Sequence, residues 1–227
     1  KYNIIDKPND RSSHSHHVIR GAGVIFPIAI LLWVLSGNIN LESYFIGLII
    51  ISLISFFDDM FNLGPLVRFS FHIISSLFLL YQFNLLIAPV FIVVIILIVL
   101  IGWLNAFNFM DGINGISIFY SIVILFTFRY INIYTLFIDN ELLIYIFISL
   151  LVFSFLNVRR NAIAFAGDVG SFSLSFVLAF LMFSLILKTG NISYILLFSI
   201  YGIDTVLTIF ERIYKKANIF KAHRSHL

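Results

Sequence analysis

Four short stretches concentrate the acids and amides of an otherwise oily chain. FFDDMFN sets Asp58 beside Asp59, and NAFNFMDGING gathers Asn105, Asn108, Asp111 and Asn114. FAGDVGS places Asp168 among glycines, and AHRSHL closes the chain with His223, Arg224 and His226. Adjacent carboxylates repel, so the 58–59 pair calls for a counter-charge: an arginine, or a hard divalent cation with oxygen ligands. Capping explains one acid per helix start, yet 105–114 holds four polar side chains. A glycine-rich helix N-terminus attracts phosphate, and a carboxylate beside that anion needs a metal between them. Asp168 reads as either an N-cap or a metal ligand. Arg224 and protonated His223 or His226 suit phosphate oxygens. For each stretch alone the simpler reading is a helix cap or a solvated helix end. For Lys215 and Lys216 a basic tail on anionic lipid is favoured.

These residues must be positioned by membrane helices. The chain has 227 residues, 61% hydrophobic and 11% charged, with mean hydropathy +1.06, far from the half-apolar, quarter-charged norm of soluble domains. Continuous apolar runs favour helices over a barrel. Runs long enough to span are read at 21–37, 41–57, 66–83, 85–104, 112–128, 141–156, 171–188 and 192–210, an all-α polytopic bundle of eight. Twelve of the fourteen Lys and Arg then fall in one set of loops, with only Arg129 and Lys188 on the other. The positive-inside rule puts the basic set in the cytoplasm. Asp58, Asp59, Asp111 and Asp168 all land on that same face, although the positive-inside rule depends on Lys and Arg alone.

Several classes are excluded or demoted. Absence of cysteine rules out disulfides and thiolate metal sites, the +3 charge is too small to argue for nucleic acid, and Lys1–Arg20 is no signal peptide. RSSHSHH at 11–17 has no accompanying acid or thiol and reads as a loop able to touch phosphate or sugar. Asp204 lies inside the eighth span and could pair with Arg212; it receives no role. A transporter or flippase for an anionic substrate would place its polar groups at mid-membrane in broken helices; here they cluster at one face. A scaffold whose acids only cap helices leaves that clustering unexplained.

Taken in order, IIDKPNDRSSHSHHVIRGAGV, FFDDMFNLG, NAFNFMDGINGIS, FAGDVGS and AHRSHL resemble the polyprenyl-phosphate N-acetylhexosamine-1-phosphate transferases, relatives of phospho-MurNAc-pentapeptide translocase. The resemblance implies one transferase domain over 1–227, with a further helix before Lys1 and more chain after Leu227. It implies transfer of a sugar-1-phosphate from a UDP-sugar to undecaprenyl phosphate with release of UMP, at the cytoplasmic face of a bacterial inner membrane, priming a glycan such as O-antigen. Asp168 is then the Mg²⁺ ligand, with Mn²⁺ an alternative, and Asp111 lies near metal and nucleotide. Asp58 and Asp59 handle the lipid phosphate or its proton. Asn105, Asn108, Asn114, Phe165 (stacking on the base), His223, Arg224 and His226 bind substrate. A homodimer is compatible with the family. Two positions depart from its pattern: Asn114 replaces the second acid of DGxDG, and Asn62 stands where some members carry a third acid.

Overall fold

A computed structural model describes residues 5–6, 17–37 and 42–215. Eight α-helices account for most of it: α1 Ile25–Leu35, α2 Glu42–Phe61, α3 Pro65–Gln82, α4 Val90–Met110, α5 Ile116–Thr135, α6 Asn140–Asn157, α7 Gly167–Thr189 and α8 Ser199–Tyr214. A two-residue ribbon, β1 (Ile5–Asp6) against β2 (Val18–Ile19), precedes them. The chain is an all-α polytopic membrane bundle. By length and apolarity alone, α2, α4, α5, α6 and α7 can cross a membrane.

Local chemistry moves several predicted boundaries. The first predicted span, 21–37, is a short 3₁₀ turn at Ala22–Val24 followed by only 11 helical residues, about 16 Å against the roughly 30 Å of a hydrocarbon core. Predicted span 85–104 begins at Val90, because Asn84 turns left-handed (φ 54°) and Pro89 starts the helix afresh. That helix runs on to Met110, so Asn105 and Asn108 belong to its last turns and not to a loop. Predicted span 112–128 starts at Ile116, behind the turn made by Gly115 (φ 84°). Predicted span 192–210 is split into a 3₁₀ stretch, Ile192–Phe198, and α8. Helix α3 follows Gly64 with Pro65 at its first position, as proline's fixed φ favours. It carries Arg68, with His72, Ser75 and Ser76 buried, and is less apolar than a self-sufficient span.

Helix α7 is the axis of the bundle. Its most apolar stretch is 89% buried, against 28% for that of α4, and it packs on α1, α2, α4 and α5. Serines and glycine along it (Gly170, Ser171, Ser173, Ser175) are small enough for close helix approach. The Ser173 and Ser175 hydroxyls return their hydrogen bonds to carbonyls of α7 itself, so no hydroxyl is stranded in apolar surroundings there. Trp103 of α4 donates its ring N–H to the Ser175 carbonyl at 2.9 Å and stacks on Phe198 at 3.7 Å. Tyr44 of α2 stacks on Phe180 of α7 at 4.0 Å. These contacts pack α2 and α4 along the middle of α7.

Candidate active site

The C-terminal end of α2, the C-terminal end of α4 and the N-terminal end of α7 meet at one end of the bundle, and each brings its polar residues. Helix α7 begins without a capping side chain of its own. The cap comes from α2: Asp59 accepts the Asp168 N–H on Oδ1 and the Val169 N–H on Oδ2, both at 3.0 Å. A carboxylate there satisfies two otherwise orphaned donors and sits at the positive end of the helix dipole. The approach is so close that a Cβ on Gly167 would lie 2.5 Å from Asp59 Oδ2, and Gly167 already holds φ at +71°. Glycine is required on both counts.

Asp58 turns the other way. Its Oδ1 accepts the Leu63 N–H at 2.6 Å and its Oδ2 meets Arg68 Nη1 at 2.9 Å. Its carboxyl also reaches that of Asp168. Two carboxylates about 4 Å apart repel by about 4 kcal/mol at an effective dielectric near 20, so the cluster needs cations, and two arginines supply them. Arg20 Nε lies 2.9 Å from Asp59 Oδ1, and its Nη2 lies 3.4 Å from Asp168 Oδ1. Arg68 Nη1 also stands 3.6 Å from Asp168 Oδ2. Each arginine thus grips one member of the acidic pair tightly and Asp168 loosely. From α4, Asn108 donates to Asp168 Oδ1 at 3.2 Å and to Ser171 Oγ at 2.7 Å.

Asp111 caps the end of α4 and lies within the electrostatic reach of Asp168. Its carboxyl lines a small cavity with Phe107, Phe153, Ser117 and Ser171. Burial pushes that carboxyl up to about 7; the Ser117 hydroxyl opposes the rise and the Asp168 charge adds to it.

Asp58, Asp59, Asn108 and Asp168 therefore form one cluster, with Asp111 beside it. The other sequence candidates stand differently. Asn105 donates to the Ile101 carbonyl of its own helix at 2.8 Å. Asn114 is half-buried and donates to the Arg159 carbonyl at 3.0 Å, tying the α4–α5 turn to the α6–α7 loop. Phe165 is half-buried and pinned by its backbone: its N–H donates to Ile19 at 2.8 Å and its carbonyl accepts Ala22 N–H at 3.0 Å. His223, Arg224 and His226 lie outside the described residues, as does most of 11–17. Asp204 is buried on α8.

Four contributors escaped the sequence reading. Arg20 and Arg68 counted there only as topology signals, although RGAG after a polar loop and an arginine one turn into α3 were available hints. Ser171, the last residue of FAGDVGS, carries no role in that reading. Asn157, buried at the end of α6, accepts the Gly115 N–H at 2.7 Å and donates to the Ala164 carbonyl at 3.1 Å, bracing the α4–α5 turn that follows Asp111 against the loop that leads to Asp168; no sequence signal marked it.

Among the described residues no three His, Asp or Glu side chains form a ready-made metal cage. Asp168 is met by nitrogens of Arg20, Arg68 and Asn108 and by the Asp58 carboxyl. A cation such as Mg²⁺, which keeps its waters and takes one or two carboxylates plus substrate phosphates, would find its oxygen ligands among the carboxylates of this cluster.

Residues 41–186 match glycosyl transferase family 4, the family of phospho-MurNAc-pentapeptide translocase and related polyprenyl-phosphate hexosamine-1-phosphate transferases. That is well over half of the chain, and the match covers α2 to α7, the helices that carry the acids. The chain belongs to this family and is a membrane sugar-phosphate transferase acting on polyprenyl phosphate. No curated protein matches the chain.

Proposed function

We propose that the protein transfers an N-acetylhexosamine-1-phosphate from a UDP-sugar to undecaprenyl phosphate and releases UMP. An oxygen of the lipid phosphate attacks the β-phosphorus of the UDP-sugar. The bond from that phosphorus to the bridging oxygen breaks, and UMP leaves with the oxygen. The product is a sugar–diphosphate–lipid that stays in the membrane and primes a surface glycan such as O-antigen. The reading places the site on the cytoplasmic face of a bacterial inner membrane, where the nucleotide is dissolved and the lipid phosphate lies at the surface.

Phosphoryl transfer leaves the protein mainly positioning and charge neutralisation to do. The observation that carries the proposal is the convergence of Asp58, Asp59, Asn108 and Asp168 with Arg20 and Arg68 at one end of the bundle. Two guanidiniums against three carboxylates leave the cluster one charge negative, which suits a divalent cation that arrives with phosphates. Asp168, whose arginine contacts are the longest in the cluster, with Asp111 nearby, would hold a Mg²⁺ ion. That ion would neutralise charge on the transferring phosphate. Asn108 and Ser171 orient Asp168. Phe165 is assigned to the base, and Arg224, His223 and His226 to the phosphate and sugar side, on their match to the family motifs.

The test is UMP release by the protein in membranes or detergent, given undecaprenyl phosphate, Mg²⁺ and a panel of UDP-sugars. Release with UDP-N-acetylglucosamine or a related UDP-N-acetylhexosamine supports the proposal. Release that requires no lipid phosphate, or no release with any UDP-sugar, overturns it.

A further inference from the structure

The segment 18–24 is stitched along the strand-like run that leads into α7. Ile19 bridges Ala164 in parallel. The Phe165 N–H donates to the Ile19 carbonyl at 2.8 Å, and the N–H groups of Ala22 and Gly23 donate to Phe165 and Ala166 at 3.0 Å. Just beyond, Gly23 lies against Gly170 so closely that a Cβ on it would collide with the Gly170 Cα. Val18-Ile19-Arg20-Gly21-Ala22-Gly23-Val24 contains one charged residue. All this backbone pairing delivers one guanidinium to the acid cluster.

The contacts of Arg20 with Asp59 and Asp168 differ in kind. The 2.9 Å bond from Nε to Asp59 has the length of a charge-assisted hydrogen bond, and Asp59 is itself fixed by two backbone N–H groups of α7. The 3.4 Å contact from Nη2 to Asp168 is longer. The side chain remains 34% exposed. Asp59 thus grips the inner edge of a fork whose Nη2 reaches Asp168 at longer range, and a planar fork with paired donors matches phosphate oxygens.

We propose that Arg20 is a phosphate-binding residue of this site and that Asp59 is its positioning residue. When substrate arrives, Arg20 keeps Asp59 and exchanges Asp168 for a phosphate oxygen, leaving Asp168 to its other partners. The inference rests on the reading of the site as a phosphoryl-transfer centre. The same oxygens are offered by the diphosphate of the nucleotide and by the phosphate of the lipid.

The test measures binding without turnover. UDP and undecaprenyl phosphate are titrated separately, with Mg²⁺, into the wild-type protein, Arg20→Ala, Arg20→Lys and Asp59→Asn in nanodiscs. Arg20→Ala is expected to weaken one of the two ligands by about 10–100-fold and leave the other nearly unchanged. Arg20→Lys, which keeps the charge and the fold but loses the fork, weakens the same ligand by a smaller factor, and so does Asp59→Asn. The affected ligand identifies which phosphate Arg20 holds. Wild-type affinities for both ligands in Arg20→Ala overturn the inference. So does equal loss of both in Arg20→Lys, which marks a strut of the fold. A wild-type protein that binds neither ligand overturns the transferase reading, and the inference with it.

Discussion

Asp59, near the end of one membrane helix, accepts the backbone N–H of Asp168, at the start of another, at 3.0 Å across 109 residues of sequence. One acid of the cluster therefore builds the position of the next. Both Asp59 oxygens are engaged, Oδ1 by Asp168 N–H and Arg20, Oδ2 by Val169 N–H. That arrangement makes Asp59 a link between the start of α7 and Arg20. Asp59→Ala should lower stability by about 1–3 kcal/mol, the range for losing a cap and stranding buried partners. Thermal unfolding in detergent checks this, with Asp59→Asn, which keeps one acceptor oxygen, falling in between.

Gly167 gives an independent check of the same junction. Alanine there must hold φ at +71° and place its Cβ 2.5 Å from Asp59 Oδ2. The left-handed conformation alone costs roughly 1–2 kcal/mol, and the collision adds to it. Gly167→Ala should therefore lower the unfolding temperature more than Gly112→Ala, whose Cβ meets no neighbour within 4 Å. Equal effects would argue against the close Asp59–α7 approach.

Asn108 donates hydrogen bonds to both Asp168 and Ser171. Asn108→Ala should leave expression and unfolding temperature nearly unchanged while reducing UMP release by about 100-fold, the cost of misplacing a group by an ångström or so. Asn105→Ala, whose amide bonds only its own helix, should retain most of the activity. Rates for the two variants in one assay separate a site residue from a neighbour in sequence.

Asp111 predicts a pH dependence. Its carboxyl is pushed up to about 7, first by burial, so the folded protein prefers it protonated. The stability that this preference contributes is fully present below the ordinary carboxylate pKa and is lost as pH rises through about 7. Without divalent cation, the protein should unfold at a higher temperature at pH 5.5 than at pH 8, by a few degrees, on the order expected for a domain of this size. Asp111→Asn should flatten that difference.

Much of this arrangement was legible in the sequence because apolar length, basic-loop bias and acid-rich motifs are local signals. They give the eight helices, the common face of Asp58, Asp59, Asp111 and Asp168, and the family. What stayed hidden depends on pairing between distant segments. Arg20 reaches Asp59 only because 18–24 is hydrogen-bonded along 164–166, and no periodicity encodes that. Asp59 as a cap for α7 was invisible for the same reason, since caps are sought next to their helices. Helix ends slipped where polar residues continue a helix, as Asn105 and Asn108 do in α4, because hydropathy falls before the backbone bonds stop. The break at Ile192–Phe198 was missed because an apolar 3₁₀ turn and an apolar α-helix read alike.

The central claim is that these helix ends form a single phosphoryl-transfer site organised on Asp168. The most direct measurement is UMP release from UDP-N-acetylhexosamine by the wild-type protein and by Asp168→Asn, with undecaprenyl phosphate and Mg²⁺. Asp168→Asn should express and unfold like wild type, since its N–H still meets Asp59, yet release UMP at least about 1,000-fold more slowly. Turnover by Asp168→Asn at the wild-type rate would contradict the account.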